Sequence, residues 1–319
     1  MALRSAPDAN PFVHEAFFYA DSDEYTEGTS TFIRAGLDAD DVVLVAVPAA
    51  NARLIQAGLG RRAQQVQFLD MAEVGRNPGR IIPVWSTFVS ENTDAGRTVR
   101  GIGEPVWASR SAAALVECQW HESLLNLAFA DGPGLPLMCP YDISTLQPNV
   151  VREAKRSHPY VRDGRGRRES AEYRGAPAPD DDLDAALSPV PARARTHAFG
   201  AGELNDVRIA VDTYAAAAGL PPEQASDLVL AVNEVATNSL RHGGGHGVVQ
   251  VWAAPDAVVC QVTDSGRISD ALVGRHLRPA LAVGGRGLWL VHQLCDLVEV
   301  RSGAQGTTVR MSVYRRTAL

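Results

Sequence analysis

Short apolar runs alternate with longer amphipathic segments through the first half of the chain. The runs at 41–47 and 137–141 have the length of buried strands. Between such runs, segments such as 22–35 and 111–130 repeat apolar residues every three to four positions, which predicts helices. Strands that alternate with helices favour a parallel sheet covered by helices, so we expect an α/β domain over residues 10–158.

The pattern changes in the last third of the chain, where helices and hairpin-connected strands are grouped separately. Helices are predicted at 204–218, 223–241 and 288–295, and strands at 196–199, 248–253, 258–263, 298–301 and 307–314. Helices grouped beside a mostly antiparallel sheet predict an α+β two-layer sandwich, which we expect over residues 196–315.

The segment between these two regions has a different composition. Residues 159–195 are rich in Arg, Asp, Gly, Pro and Ser, with a basic run at 162–168 and an acidic run at 180–182. Such a segment cannot bury enough apolar surface to offset its ordering entropy. We therefore expect a flexible linker, in which the basic run is a solvated hinge rather than a nucleic-acid contact.

Whole-chain composition narrows the classes of function. The 319 residues have room for two domains, and a hydrophobic content of 45% with 21% charged residues is ordinary for a globular protein. The net charge of −7 argues against a nucleic-acid binder, which needs a basic face. No apolar stretch is long enough to span a bilayer and no secretory signal is visible, so we expect a cytoplasmic protein.

The predicted helix at 223–241 carries polar residues that its apolar stripe does not explain. Leu228 and Val232 recur at helical spacing and should face the sheet, whereas Glu234 and Asn238 share another face. A polar face can simply be the wet side of a helix, but asparagine has low helix propensity and gains nothing in the middle of a surface helix. A carboxylate and a carboxamide one turn apart can instead share a metal ion and a reacting oxygen.

Three further motifs follow this helix in order. Asp264-Ser-Gly266 places an acid that can accept from an exocyclic amine beside a glycine that permits close backbone approach. Gly284-Gly-Arg-Gly287 opens a predicted helix, where backbone amides can bind phosphate, and Gly306-Thr-Thr308 is a small-residue turn. One such motif alone is weak evidence, but the ordered set with Glu234 and Asn238 indicates an ATP site.

With these motifs, residues 195–315 resemble the ATP-binding domain shared by DNA gyrase, heat-shock chaperone ATPases, histidine kinases and mismatch-repair ATPases. More narrowly, they resemble the anti-sigma-factor serine kinases of bacteria. The resemblance is carried by the segment 233–243, Asp264-Ser-Gly266, Gly285-Arg-Gly287 and Gly306-Thr-Thr308. One departure is that Arg267-Ile268 follows Gly266, where the family has a second glycine.

The resemblance implies a role for each matching position, with ATP and Mg²⁺ as the bound groups. Glu234 would be the catalytic base for an incoming serine hydroxyl, Asn238 would hold Mg²⁺, and Asp264 would bind the adenine amino group. The glycines would form the phosphate lid and the threonines would line the base pocket. The remaining implied contacts are Arg241, His242, Gly266, Gly285, Arg286, Gly287, Thr307 and Thr308.

Residues 10–158 resemble the MEDS sensory domain of bacterial and archaeal regulators, a family proposed to sense small hydrocarbon derivatives. The resemblance is carried by the segments 14–19, 100–107, 117–126 and 137–142. It implies a RecA-like open sheet and a small-molecule ligand. The segment 25–30 follows the first strand without the lysine of a phosphate-binding loop, so we expect no nucleotide in this domain.

The ligand of this first domain is expected where strand ends converge in an open α/β sheet. The same residues are also compatible with ordinary core packing and surface pairs, and no ligand can be named. The candidates for the pocket are Glu104, Trp107, His121, Glu122, Cys139 and Asp142.

Three functions fit the two resemblances. The leading hypothesis is a regulator whose sensory domain controls a serine protein kinase that phosphorylates or sequesters a sigma factor or an anti-sigma-factor antagonist. The oligomeric state is open, although homodimers are usual among the kinases that it resembles. A second is a catalytically degenerate ATP-binding module that only binds a partner protein, and a third is an ATP-hydrolysing, chaperone-like switch. The missing glycine at Arg267-Ile268 favours the second, whereas Glu234 and Asn238 favour the first.

Overall fold

The computed structural model describes residues 12–176, 187–276 and 286–315. The chain divides into two compact units, one ending at residue 177 and the other beginning at residue 178, and each unit contains one sheet. The expected mixture of helices and strands in two sheets is therefore confirmed. Within the described ranges, none of the helices combines the length and the hydrophobicity needed to cross a bilayer.

Seven strands form the sheet of the first unit: β1 (Val13–Tyr19), β2 (Val42–Val47), β3 (Val66–Asp70), β4 (Val99–Gly103), β5 (Pro136–Asp142), β6 (Tyr160–Asp163) and β7 (Gly166–Glu169). Their order across the sheet is β3-β2-β4-β5-β1-β6-β7. Neighbouring strands are parallel from β3 to β6, and β6 and β7 form an antiparallel hairpin. The core strands read as continuous apolar runs in the sequence because a parallel sheet is buried on both faces.

The helices of the first unit lie between these strands in the sequence. Helix starts are set by side chains that accept from the first N–H groups: Asp21 accepts from Asp23 and Glu24, and Ser111 accepts from Ala114. The helices are α1 (Ser22–Asp38), α2 (Ala49–Leu59), α3 (Met71–Val74), α4 (Ile81–Thr93), α5 (Ala112–Ala128) and α6 (Pro148–Ser157).

The expected flexible linker at 159–195 begins with ordered structure, so this expectation is corrected. β6 pairs with β1, and the basic run at 162–168 forms the last hairpin of the first sheet. The physical reason is Glu15 on β1, which is only 1% exposed and requires a charged partner. Arg162 donates from Nε to Glu15 Oε1 at 3.1 Å. The acidic run at 180–182 lies outside the described residues.

The second unit contains a five-stranded sheet in the order β11-β12-β10-β9-β8, with every neighbouring pair antiparallel. Its strands are β8 (Arg195–Gly200), β9 (His246–Ala253), β10 (Ala257–Asp264), β11 (Leu297–Gly303) and β12 (Gly306–Tyr314). Its helices are α7 (Leu204–Ala217), α8 (Pro222–His242) and α9 (Gly287–Leu294).

Helix α8 lies on this sheet and contacts α7, α9, β9, β10 and β12. The stripe expected from the sequence is buried against the strands, including Leu228, Val232 and Val235. Pro222 occupies the first turn of the helix, where its missing N–H costs nothing. The helix is therefore fixed along its length, and its polar face is presented in a defined direction.

The other face of the second sheet is covered by the segment that leads into β8. Val190 and Ala194 pack against a small cluster around Trp252. Arg310 of β12 is buried beneath this segment, and its guanidinium donates to Ser188 Oγ and to the Ser188 carbonyl oxygen, both at 2.8 Å. The last part of the expected linker is therefore also docked on a sheet.

Candidate functional site

A cavity of about 330 Å³ lies in the second unit beside the C-terminal half of α8. Its walls include Val235, Ile268, Val273, Leu288 and Val309, which make much of the surface apolar. A cavity that combines apolar walls with directed polar groups is typical of a small-molecule site. Six of the residues selected from the sequence also line it: Asn238, His242, Asp264, Gly266, Gly287 and Thr307.

Glu234 and Asn238 lie one turn apart on α8, and both side chains reach the first residue of α9. A Cβ atom placed on Gly287 would lie 3.0 Å from Glu234 Oε2 and 3.2 Å from Asn238 Nδ2. The residue before α9, Arg286, is exposed and its side chain does not cap the helix. The N–H groups of the first turn of α9 therefore lack an intrahelical partner beside a carboxylate and a carboxamide.

Asp264, the last residue of β10, is held by two hydrogen bonds. Gly266 donates its N–H to Oδ1 at 2.8 Å, and Ser239 donates from Oγ to Oδ2 at 2.6 Å. Ser239 is fully buried on α8, so this carboxylate fixes the end of the strand to the helix. A carboxylate has about four lone-pair positions, so Asp264 can still accept from an amine in the cavity.

Glycine is required at two positions around Asp264. A Cβ at Gly243, the residue after α8, would lie 2.4 Å from Asp264 Cγ. Gly306 has a φ of +110°, and a Cβ there would lie 2.1 Å from the backbone oxygen of Asp264. Only glycine tolerates that backbone conformation and that approach. The first and fourth sequence motifs therefore close around the second.

Hydroxyl groups connect the second motif to the fourth. Thr307 donates from Oγ1 to the Gly266 carbonyl oxygen at 2.9 Å, and Ser302 Oγ lies 2.8 Å from Thr307 Oγ1. Ser302 Oγ also accepts from the N–H of Ile268 at 2.8 Å. The side chain of Ile268 lines the cavity and packs on the core. At the position where the family has glycine, a side chain therefore covers the backbone.

The remaining expected contacts lie elsewhere. Thr308 does not line the base pocket as expected, because successive residues of a strand face opposite sides. Its hydroxyl lies 3.3 Å from Thr263 Oγ1 on the other face of the sheet. Arg241 is exposed in the last turn of α8, outside the cavity wall. Gly285 lies outside the described residues.

Two residues of this site were not selected from the sequence. Ser239 lies on the buried, sheet-facing stripe of α8, and a hydroxyl on an otherwise apolar stripe is a signal that it has a partner. Ser302 gave no local signal, because its contact with Thr307 depends on the pairing of β11 with β12.

The six residues proposed for a pocket in the first unit do not form one group. Glu104, directly after β4, is buried, and its carboxylate accepts hydrogen bonds from the hydroxyl of Tyr25 at 3.0 Å and from that of Tyr19 at 3.3 Å. Asn51 Nδ2 donates to both carboxylate oxygens, at 2.8 and 2.9 Å. These groups lie at the carboxyl ends of the strands, where ligands bind in open α/β sheets. Burial raises the pKa of Glu104 to about 7.

Asp142 ends β5 at the same edge of the sheet. Burial opposes its ionisation, but hydrogen bonds from Ser144 and Thr145 outweigh this and lower the pKa of its carboxyl group. Trp107 is covered by Arg110, whose guanidinium carbon lies 3.8 Å from the ring centroid. These residues therefore have partners within the protein as well as a position suited to a ligand.

Glu122 and Cys139 lie in a different group, together with His14 and His158. Burial, followed by the neighbouring His158, lowers the pKa of His14 to about 4. The expected single pocket is therefore not formed. Cys139 lies three residues before the end of β5, away from the edge where Asp142 lies. His121 and Glu122 are adjacent on α5, so their side chains point in different directions.

The two units match two different family models. Residues 13–159 match MEDS, the methanogen/methylotroph DcmR sensory domain, and residues 197–313 match the histidine kinase-like ATPase domain. Comparison with curated proteins gives no match. Among solved structures, the RsbU and RsbW domains of Rv1364c from Mycobacterium tuberculosis match at 20% identity and a TM-score of 0.28, over 41% of this chain and 36% of that chain. The match thus spans little more than a third of the solved chain.

Proposed function

We propose that this chain, which joins a MEDS sensory domain to a histidine kinase-like ATPase domain, is a regulator in which the first domain controls an ATP-dependent protein kinase of the anti-sigma type. The second domain would phosphorylate a serine of its partner or sequester it, the partner being a sigma factor or an anti-sigma-factor antagonist. We also propose that the first domain has a RecA-like open sheet and that residues 196–315 form a histidine-kinase-like two-layer sandwich.

The observation that carries the proposal is the convergence of Glu234 and Asn238 on the start of α9. A methyl group placed on Gly287 would lie 3.0 Å from Glu234 Oε2 and 3.2 Å from Asn238 Nδ2, closer than ordinary van der Waals contact, so both polar groups pack directly against the backbone at the start of α9. An asparagine oxygen is a hard ligand of the kind that Mg²⁺ takes, and Mg²⁺ typically uses one or two protein ligands together with phosphates and waters. The residues therefore fit ATP with Mg²⁺.

The cavity and the adjoining residues of α8 and α9 each have a task in phosphoryl transfer. Asp264 accepts from the adenine amine, and Val235, Ile268 and Leu288 cover the base with apolar surface. The amides at the start of α9 bind phosphate oxygens. Glu234 accepts the proton of the serine hydroxyl as the new oxygen–phosphorus bond forms. Mg²⁺, when bound at Asn238, supplies neutralisation of the phosphate charge. We place this ATP-dependent activity in the cytoplasm.

The experiment compares purified full-length wild type with Glu234→Ala and Asn238→Ala. ATP affinity is measured by calorimetry with and without Mg²⁺, and phosphoryl transfer is measured with labelled ATP and proteins captured as partners. Because Glu234 does not line the cavity, Glu234→Ala should bind ATP like the wild type and transfer no phosphate. Asn238→Ala should lose the Mg²⁺-dependent part of the affinity.

The matched control is Glu223→Ala, which removes an exposed carboxylate from the first turn of the same helix. It should change neither ATP binding nor transfer. If the wild type fails to bind ATP, the proposal of a nucleotide site is refuted.

One observation favours the alternative of an ATP-binding module without kinase activity. The position of the family's second glycine holds Ile268, whose side chain forms part of the cavity wall. A wild type that binds ATP but neither labels a captured partner nor hydrolyses ATP would support this alternative over the kinase.

A further inference from the structure

Four side chains from separate segments of the first unit meet in its interior. His14 lies on β1, Glu122 on α5, Cys139 on β5, and His158 directly after α6. Each is at most 1% exposed. The groups that meet are two imidazole nitrogens, a carboxylate oxygen and a thiol sulfur, and these atoms all lie within 4.8 Å of one another.

Glu122 Oε2 lies close to each of the other three groups. It is 3.1 Å from His14 Nε2, 3.5 Å from His158 Nε2 and 3.5 Å from Cys139 Sγ. Cys139 Sγ is in turn 3.4 Å from His14 Nε2. The four groups therefore surround one small volume rather than forming a chain.

Hydrogen bonds outside the cluster determine which ring nitrogens carry hydrogen. His158 Nδ1 lies 2.7 Å from the Ala154 carbonyl oxygen, which can only accept, so Nδ1 is the donor. His14 Nδ1 lies 3.1 Å from Asn126 Oδ1. The orientation of this amide is fixed because Asn126 Nδ2 donates to the Ser157 carbonyl oxygen at 2.7 Å. In the neutral form, both histidines therefore present an Nε2 lone pair to the cluster.

The cluster consequently has more acceptors than donors. Two nitrogen lone pairs and a carboxylate face one another, and the thiol of Cys139 is the only hydrogen that the four groups themselves supply. Among the residues that the structure describes, His158 Nε2 has no hydrogen-bond partner, because its 3.5 Å approach to Glu122 Oε2 lacks the geometry of a hydrogen bond. A buried acceptor without a donor is costly, whereas a cation at the centre would be bound by all four groups.

We propose that His14, Glu122, Cys139 and His158 bind one divalent transition-metal ion of the zinc class. Imidazole, thiolate and carboxylate are the ligands of zinc, and four protein ligands are typical of a closed, structural site. The outer hydrogen bonds of both imidazoles are those found at metal-bound histidines, whose second N–H is donated to a carbonyl or carboxylate. On binding, the thiol proton of Cys139 is released to solvent.

This inference is independent of the proposed kinase, since it concerns only the sensory domain. The ion would connect β1, α5, β5 and the residue that leads into the hairpin of β6 and β7. Its expected contribution is to the stability and geometry of this domain, because binding to the folded state alone stabilises that state.

Cobalt(II) is the probe, since it occupies zinc sites and reports its ligands by absorption. Because the four side chains are buried, the full-length chain is loaded during production in cobalt-supplemented cells and, separately, by refolding with cobalt. The expected result is one cobalt per chain, with the visible bands of a four-coordinate site and a near-ultraviolet thiolate-to-cobalt charge-transfer band. Zinc should displace the cobalt and remove both signals.

The substitution Cys139→Ser should abolish the charge-transfer band. Glu122→Gln, which keeps the shape of the side chain, should weaken retention of the metal by about tenfold or more. The matched control is Cys118→Ser, which removes a buried thiol from the same helix as Glu122 but outside the cluster and should retain both signals. Circular dichroism checks that each variant is folded.

Folded wild type that carries no stoichiometric metal from either loading route would overturn the proposal, and would leave a cluster held by hydrogen bonds and an ion pair. A charge-transfer band that persists in Cys139→Ser would overturn it equally, because the metal would then lie at another thiol.

Discussion

Glu104 is expected to make the stability of the sensory domain depend on pH. Its carboxyl group is 2% exposed, and the side chains in contact with it, Tyr19, Tyr25 and Asn51, all donate hydrogen bonds to it. These bonds favour the charged form but do not compensate for burial, which raises the pKa from 4.5 to about 7. The folded domain therefore holds a proton that the unfolded chain has already lost.

The direction of the effect follows from proton counting. Between pH 4.5 and about 7 the folded state binds one proton more than the unfolded state at Glu104, so the free energy of unfolding falls as pH rises through this window. Each pH unit corresponds to about 1.4 kcal/mol, which gives a loss of about 3 kcal/mol across the window. Above pH 7 the contribution of Glu104 levels off.

The assay is urea unfolding of the full-length chain at pH 5 to 8, followed by hydrogen exchange of peptides from β1 and β4 so that the sensory domain is observed separately. Glu104→Gln cannot ionise, so its unfolding free energy should lack the decrease seen in the wild type. The matched control Glu27→Gln changes an exposed carboxylate of α1 and should follow the wild type. Parallel pH profiles for wild type and Glu104→Gln would refute the reasoning.

Two further predictions concern the ATPase domain. Gly243→Ala should weaken ATP binding by tenfold or more, because its Cβ would lie 2.4 Å from Asp264 Cγ, whereas Gly200→Ala, whose nearest contact would be 3.6 Å, should bind ATP normally in calorimetry. Arg310→Met should lower the free energy of unfolding of this domain by about 2 kcal/mol, since it removes the charged hydrogen bonds from the buried guanidinium to Ser188. Hydrogen exchange of β12 peptides in urea measures this, and an unchanged midpoint would contradict it.

The elements that the sequence predicts best are those whose signal is local. The apolar stripe of α8 places Leu228 and Val232 against the sheet, and the same periodicity leaves Glu234 and Asn238 free to face α9. The position of Thr308 could also have been predicted, because strand alternation places it opposite Thr307.

The elements that the sequence could not give depend on contacts distant along the chain. The basic run at 162–168 has the composition of a linker, and only the buried carboxylate of Glu15, 147 residues before Arg162, shows why it is a strand. The meeting of His14 with His158 likewise requires β1 to lie beside both β5 and β6. No local pattern contains these pairings.

The hairpin of β6 and β7 also determines what the sensory domain presents to other copies of itself. β1 is almost completely buried and apolar, and without β6 its backbone N–H and C=O groups on one side would be an open template for strand addition. β7 ends the sheet with exposed Arg167, Arg168 and Glu169, whose charges disfavour edge-to-edge pairing. A fragment that ends at residue 158 would therefore expose β1 as an unpaired edge strand and would be prone to aggregate. A fragment that extends to residue 176 would keep the charged strand β7, which disfavours aggregation.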